Sequence, residues 1–158
     1  MDDFGLFALR AVAGGYIMTY GLPKLRDADG SFAKEFESLG FHPARPFVEQ
    51  AGLIEVISGA LIVLGALGPV GPMMLLADML VAGTATTAHA KHFDLDQHEE
   101  QALFAAIALL LALGGPGAYS ADAALRIRMF DRAWVRYLSV PAALAGAAFM
   151  LSQRKGAP

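Results

Sequence analysis

FGLFALRAVAGGYIMTYGL, residues 4–22, is the stretch that decides the fold. It is apolar except for Arg10, and its length approaches the roughly 20 residues a helix needs to cross a bilayer. Two more stretches repeat the pattern. Residues 51–67, AGLIEVISGALIVLGAL, carry Glu55, and residues 72–88 carry Asp78, with His89 just after them. A charge at the bilayer centre costs roughly 2.5–3.5 kcal/mol on insertion scales, so such residues face one another or a polar cavity. The pattern predicts a membrane protein with a polar interior.

Composition agrees. Of 158 residues, 56% are hydrophobic and 17% charged, where soluble domains carry about 25% charged residues. This length holds one helical unit with short loops. The absence of cysteine excludes disulfides, thiol redox chemistry and cysteine-ligated clusters. Asp2 and Asp3 stand where a cleavable signal would be basic, and Arg10 interrupts its apolar run. No phosphate-binding glycine loop, nucleophile elbow or nucleotide fingerprint is present. The C-terminal arginines suit a lipid surface rather than nucleic acid.

The linkers organise the chain. After the first span comes a polar stretch, residues 26–49, with a short helix expected near 31–39 and breaks at Gly40, Pro43 and Pro46. The second span, residues 47–67, joins the third through Gly68-Pro69-Val70-Gly71-Pro72, a tight turn that predicts an antiparallel hairpin. A fourth span covers residues 101–115. Gly115-Pro116-Gly117 then stops the helix, and Ser120 is a natural N-cap. Arg128, Arg132 and Arg136 recur every four residues opposite Ile127, Phe130, Trp134 and Tyr137, which predicts an amphipathic interfacial helix over 121–138. Residues 139–151 are a candidate fifth span. The fold class is therefore an all-α membrane protein: a four-helix transmembrane bundle (residues 1–120), then the amphipathic helix and C-terminal apolar segment (residues 121–158). Orientation leans to a cytoplasmic N-terminus, on one of two opposed signals. The arginine-rich segment places the N-terminus in the cytoplasm, whereas Lys24, Arg26, Lys34 and Arg45 in the first loop argue the reverse.

The ionisable residues share faces with small ones. Arg10, Gly14, Ile17, Gly21 and Lys24 lie on one face of the first helix; Gly52, Glu55, Gly59 and Ala66 on one of the second; Asp78, Ala82, Ala85, His89 and His92 on one of the third. Small residues let helices approach closely in lipid, so the charged faces are expected to pack together. Arg10 with Glu55 is the natural pair. Two readings follow: an ion pair that fixes helix register, or an intramembrane site, made of Arg10, Lys24, Glu55, Asp78 and His89, for a polar head group, a quinone or a proton.

A second cluster is expected at the mouth: His92, Glu99 and Glu100, joined by Ser120 and Asp122, with Asp94, Asp96 and His98 nearby. His89 and His92 are one turn apart, which suits a divalent metal. No spacing for a zinc, di-iron or haem site is complete, so a hydrogen-bonded histidine network is the expectation and no metal is assigned. No catalytic residue is assigned either.

Leu9-Arg10, Gly14, Gly21 and Lys24-Leu25, then Glu55 with Gly59, Leu61 and Leu64-Gly65, then Met79, Ala82, His89, Phe93 and Glu99 or Glu100 follow in order. Together with Gly115-Pro116-Gly117 and Ser120-Ala121-Asp122, they resemble the DoxX family of small bacterial membrane proteins over residues 6–122. Ala118, Asp78 and the extension beyond Asp122 depart from that pattern. The resemblance implies a four-helix bundle in the bacterial cytoplasmic (inner) membrane and an association with redox metabolism, relatives including a subunit of a thiosulfate:quinone oxidoreductase. The leading functional expectation is a membrane subunit of a quinone-linked oxidoreductase, with quinone the cofactor considered. The alternative is a non-catalytic scaffold recruiting a redox-enzyme partner subunit, and a small-solute transporter ranks third because no inverted repeat is visible. Expected partners are the lipid bilayer, that redox subunit and further copies of the chain, with no nucleic acid.

Overall fold

The computed structural model describes residues 2–91, 94, 98–127, 129–130 and 132–155. These residues form helices and turns, with no strand among them. The elements are α1 (Asp3–Arg26), α2 (Ser31–Ser38), α3 (Ala44–Leu64), α4 (Val70–Ala90), α5 (Glu99–Gly114), α6 (Ala121–Ala124) and α7 (Ala133–Ser152). Three of them, α3, α4 and α7, are long and apolar enough to cross a membrane. The 16 residues of α5 span about 24 Å, short of the hydrocarbon core.

Glycines set the distance between α1 and α3. A Cβ added to Gly14 would lie 2.6 Å from the Gly59 carbonyl oxygen, and one added to Gly59 would lie 2.6 Å from that of Gly14. Gly21 and Gly52 repeat this contact one heptad along each helix, at 2.6 and 2.9 Å. The spacing on both helices therefore locks one antiparallel register and brings the backbones into contact. The expected antiparallel hairpin is present as α3 and α4. It turns through Gly65, Leu67 and Gly68, all with positive φ.

α4 is the central helix, packing against α3, α5 and α7. Ile62, Leu75, Phe104, Ala108 and Leu111 form the core of these contacts. Large apolar side chains on the outside, such as Val12, Leu110 and Leu144, are more than half exposed, as lipid-facing positions are.

Among the described residues, the amphipathic helix expected over 121–138 is not continuous. Ser120 does cap a helix, accepting from the Ala123 N–H, but α6 stops after Ala124. Arg126 adopts a left-handed conformation (φ +55°), and the Ile127 N–H bonds to the Asp122 carbonyl, closing the helix end. Phe130 then folds over Gly68, where any side chain would collide with it. Arg132 becomes the N-cap of α7, so Trp134, Arg136 and Tyr137 begin a new helix. Arg128 lies outside the described residues. The apolar segment 139–151 is the body of α7, which runs through Pro141.

Candidate functional site

Tyr20 and Lys24 on α1, Glu55 on α3, Asp78 on α4, and Glu100 and Gln101 on α5 converge on one cavity of about 610 Å³. Phe32 and Phe36 of α2, Phe41, Phe47, Phe104 and Met150 supply much of its apolar wall. Lys24 Nζ lies 2.5 Å from Glu55 Oε1. The Tyr20 hydroxyl donates to Glu100 Oε1 at 2.5 Å, and Tyr16 and Tyr20 hydroxyls are 3.1 Å apart. Glu55 is 3% exposed, and its second oxygen, Oε2, has no hydrogen-bond partner; neither has Gln101 Oε1. Asp78 and Glu100 both lie within electrostatic reach of Glu55.

The pairing differs from the expected Arg10–Glu55 contact, and helix geometry explains why. Gly21 packs beside Glu55, a Cβ there falling 2.9 Å from Glu55 Cβ. Lys24 is three residues from that level, Arg10 eleven, or about 16 Å along the helix. Direction adds to distance. Side chains lean toward the N-terminus of their helix. On antiparallel α1 and α3, Lys24 and Glu55 lean toward one another, while Arg10 leans away.

Arg10 lies near the other end of the bundle, 3% exposed. Its Nη2 donates to the Tyr119 carbonyl, and its guanidinium sits against Gly65 and 6.0 Å from the Phe7 ring centroid. Nε and Nη1 find no acceptor. Ser120 and Asp122, grouped at the mouth with Glu99 and Glu100, belong instead to this Arg10 end. The length of α5 separates the two sets. Asp122 accepts from the Leu67 N–H (2.9 Å) and the Gly68 N–H (2.6 Å), tying α6 to the α3–α4 turn.

Of the histidines, His89 is exposed at the end of α4 and does not line the cavity. His92 and Asp96 lie outside the described residues. His98 forms the network instead. It is 4% exposed, Nδ1 donates to the Asp94 carbonyl at 2.5 Å, and Nε2 lies 2.9 Å from Thr87 Oγ1. Glu99 is exposed on the first turn of α5, next to the cavity residue Glu100. Among the described residues no group of three histidines or carboxylates is placed to hold a metal.

Tyr20 and Gln101 were absent from the sequence-derived set. Tyr20 stands one turn before Lys24, and Gln101 follows Glu100 on α5, so helical spacing carried the signal. For the aromatic wall, the one helical spacing in the sequence is that of Phe32 and Phe36, at i and i+4, and it was not singled out.

Comparison with known proteins adds one match. No curated protein and no solved structure matches the chain. The sequence profile of DoxX matches residues 5–90. That segment contains Arg10, Lys24, Glu55 and Asp78 and stops before Glu100. It spans more than half of the chain and two of the helices suited to crossing a bilayer. This is a membrane protein, and it belongs to the DoxX family.

Proposed function

We propose that the chain is a membrane subunit of a quinone-linked oxidoreductase system in the bacterial inner membrane, with the cavity as its quinone site. The observation that carries this reading is the union of an apolar space of about 610 Å³ with buried carboxylates beside it. Ligand sites typically measure 300–1,000 Å³, with mostly apolar walls and a few polar groups that fix orientation. An isoprenoid-tailed quinone has that division: a polar ring and an apolar tail. Partnerless Glu55 Oε2 and Gln101 Oε1 fit a head group that completes their hydrogen bonds.

A bound quinone supplies two-electron, two-proton chemistry, with electrons exchanged through a partner subunit or a small substrate. The residues of this chain orient the ring and handle protons. Lys24 holds Glu55 by its Oε1. Glu100, exposed at the start of α5, connects the cavity to water, and Tyr20 fixes its carboxylate. The aromatic wall keeps water from the tail.

The test is purification in mild detergent, followed by mass spectrometry of extracted quinones and of co-purifying proteins. A stoichiometric quinone that is lost in Glu55→Gln supports the site. A stoichiometric soluble redox enzyme with no quinone overturns it in favour of a recruiting scaffold.

A further inference from the structure

One wall of the cavity is held from outside it. α2 is eight residues long and buries none of them, and its principal packing partner is α3. A helix so short is not stable by itself in water, so the contacts at its ends decide where it sits. Phe32 and Phe36 of this helix nonetheless line the cavity, as do Phe149 and Met150 of α7. α2 and α7 share no substantial helix packing. They are joined through the turn that follows α2.

Three contacts make that junction. Arg154 Nε donates to the Leu39 carbonyl at 2.7 Å, and the Lys155 N–H donates to the Gly40 carbonyl at 3.0 Å. The Arg154 guanidinium stands 5.9 Å from the centroid of the Phe41 ring, within reach of a cation–π contact. Phe41 is 2% exposed, and its ring centroid lies 5.8 Å from that of Phe36 and 5.1 Å from that of Phe47, both in the cavity wall. Two residues just beyond α7 thus fasten the turn, and the turn fastens the aromatic wall. Gly30 and Gly40 flank α2, and Gly40 has a φ of +89°. Small residues at element ends are where a lid takes up its change of backbone angle.

We infer that α2 is a lid on the cavity and that Arg154 and the Lys155 backbone latch it shut, so that ligand exchange follows release of the latch. Arg154 is a positioning residue: it does not line the cavity and acts through the turn at 39–41. The closed lid keeps water from the site, and its opening sets the rate at which a ligand enters and leaves. The inference rests on the cavity being a ligand site and holds whatever the ligand.

The chain has no cysteine, so one introduced thiol reports one position. Ala85 lines the cavity and is 1% exposed, whereas Ala112 is 0% exposed in the core and does not line it. The experiment measures modification of Ala85→Cys and, separately, of Ala112→Cys by a permanently charged methanethiosulfonate, with the full chain in lipid nanodiscs. Adding Arg154→Ala, or Lys155→Pro to remove the N–H, is expected to speed modification at position 85 by about tenfold or more, as loss of a hydrogen bond made only in the closed form implies. The rate at position 112 should stay as it was. Gln153→Ala, which breaks neither contact, should alter neither rate. Ala82→Cys, a second lining position, serves if Ala85→Cys fails to fold.

Equal rates at position 85 with and without the latch overturn the inference. Parallel acceleration at positions 85 and 112 overturns it too, because Arg154 would then hold the bundle as a whole. Exchange of bound decylubiquinone, followed by stopped flow in the same variants, should quicken by a similar factor. Failure of decylubiquinone to bind removes the quinone reading and leaves the lid to be decided by the thiol rates.

Discussion

Arg10 and Glu55 are equally buried, each 3% exposed, yet they stand in opposite kinds of surroundings. At the Arg10 end, charges meet main chain. Arg10 holds the Tyr119 carbonyl, and Asp122 holds the N–H groups of Leu67 and Gly68. These contacts staple the loop after α5 onto α1 and onto the α3–α4 turn, a structural task. At the Glu55 end, charges meet other side chains around a void. Neither Lys24 nor Glu55 closes a helix end or pins a loop, and two acceptor oxygens remain unused. A buried charge alone therefore does not mark a site in this bundle. The partner decides: main chain signals architecture, a cavity signals chemistry.

The largest expected effect tests the architectural end. Asp122→Ala removes two charge-assisted bonds and strands two backbone donors at a turn. At about 1.5–3 kcal/mol for each bond to a charged group, the loss should be about 3–6 kcal/mol. Thermal unfolding in mixed micelles, followed by helical circular dichroism, measures it. Quinone affinity of the folded fraction should stay as in the wild type. A large drop in affinity would merge the two ends into one functional unit.

The pairing itself comes next. In a double-mutant cycle, Lys24→Met and Glu55→Gln should couple by about 1–3 kcal/mol, since either change alone leaves a buried polar group without its partner. Arg10→Met and Glu55→Gln should be additive to within about 0.5 kcal/mol, because the residues are far apart and share no partner. Strong coupling in the second cycle would restore the Arg10–Glu55 pair.

These cycles bear on what could be read from the chain directly. The faces were legible: Arg10, Gly14, Gly21 and Lys24 share a helical stripe, and Gly52, Glu55 and Gly59 do too. Which cation meets Glu55 was not legible from faces, because angular position says nothing of height. The register comes from the reciprocal Gly14–Gly59 and Gly21–Gly52 contacts, which need both backbones in place. The break after α6 was hidden for a different reason. Arg126 occupies a left-handed position that a sequence normally marks with glycine. The helix-stop at Gly115 and the cap at Ser120 carried their usual chemistry and were read as such. The cavity assembles from six helices, so only its charged residues stood out in one dimension.

Glycine substitutions separate the two ends within a single interface. Gly14→Ala and Gly21→Ala each drive a methyl to 2.6 Å from a facing carbonyl oxygen, and each should cost about 1–3 kcal/mol through overpacking. Only Gly21→Ala should also weaken quinone binding, because it displaces Glu55 beside it. Gly15→Ala is the control. Nothing lies within 4 Å of its added Cβ, so it should leave stability unchanged or raise it by up to about 1 kcal/mol.

The smallest expected change in stability falls at the water-facing edge of the cavity. Tyr20→Phe removes the hydroxyl that donates to Glu100, yet both residues are exposed, so unfolding should shift by less than about 1 kcal/mol. Its effect on the ligand should be larger than its effect on the fold. Without the phenol, the Glu100 carboxylate is free to turn toward water and ceases to present a fixed acceptor at the cavity. Quinone affinity should fall several-fold, as equilibrium dialysis would show. Tyr16→Phe, which leaves the Tyr20–Glu100 bond intact, should change neither. Equal losses in both variants would mean that the tyrosine pair shapes the helix surface and that Glu100 needs no positioning. The cavity would then rely on Lys24, Glu55, Asp78 and Gln101 for its polar floor.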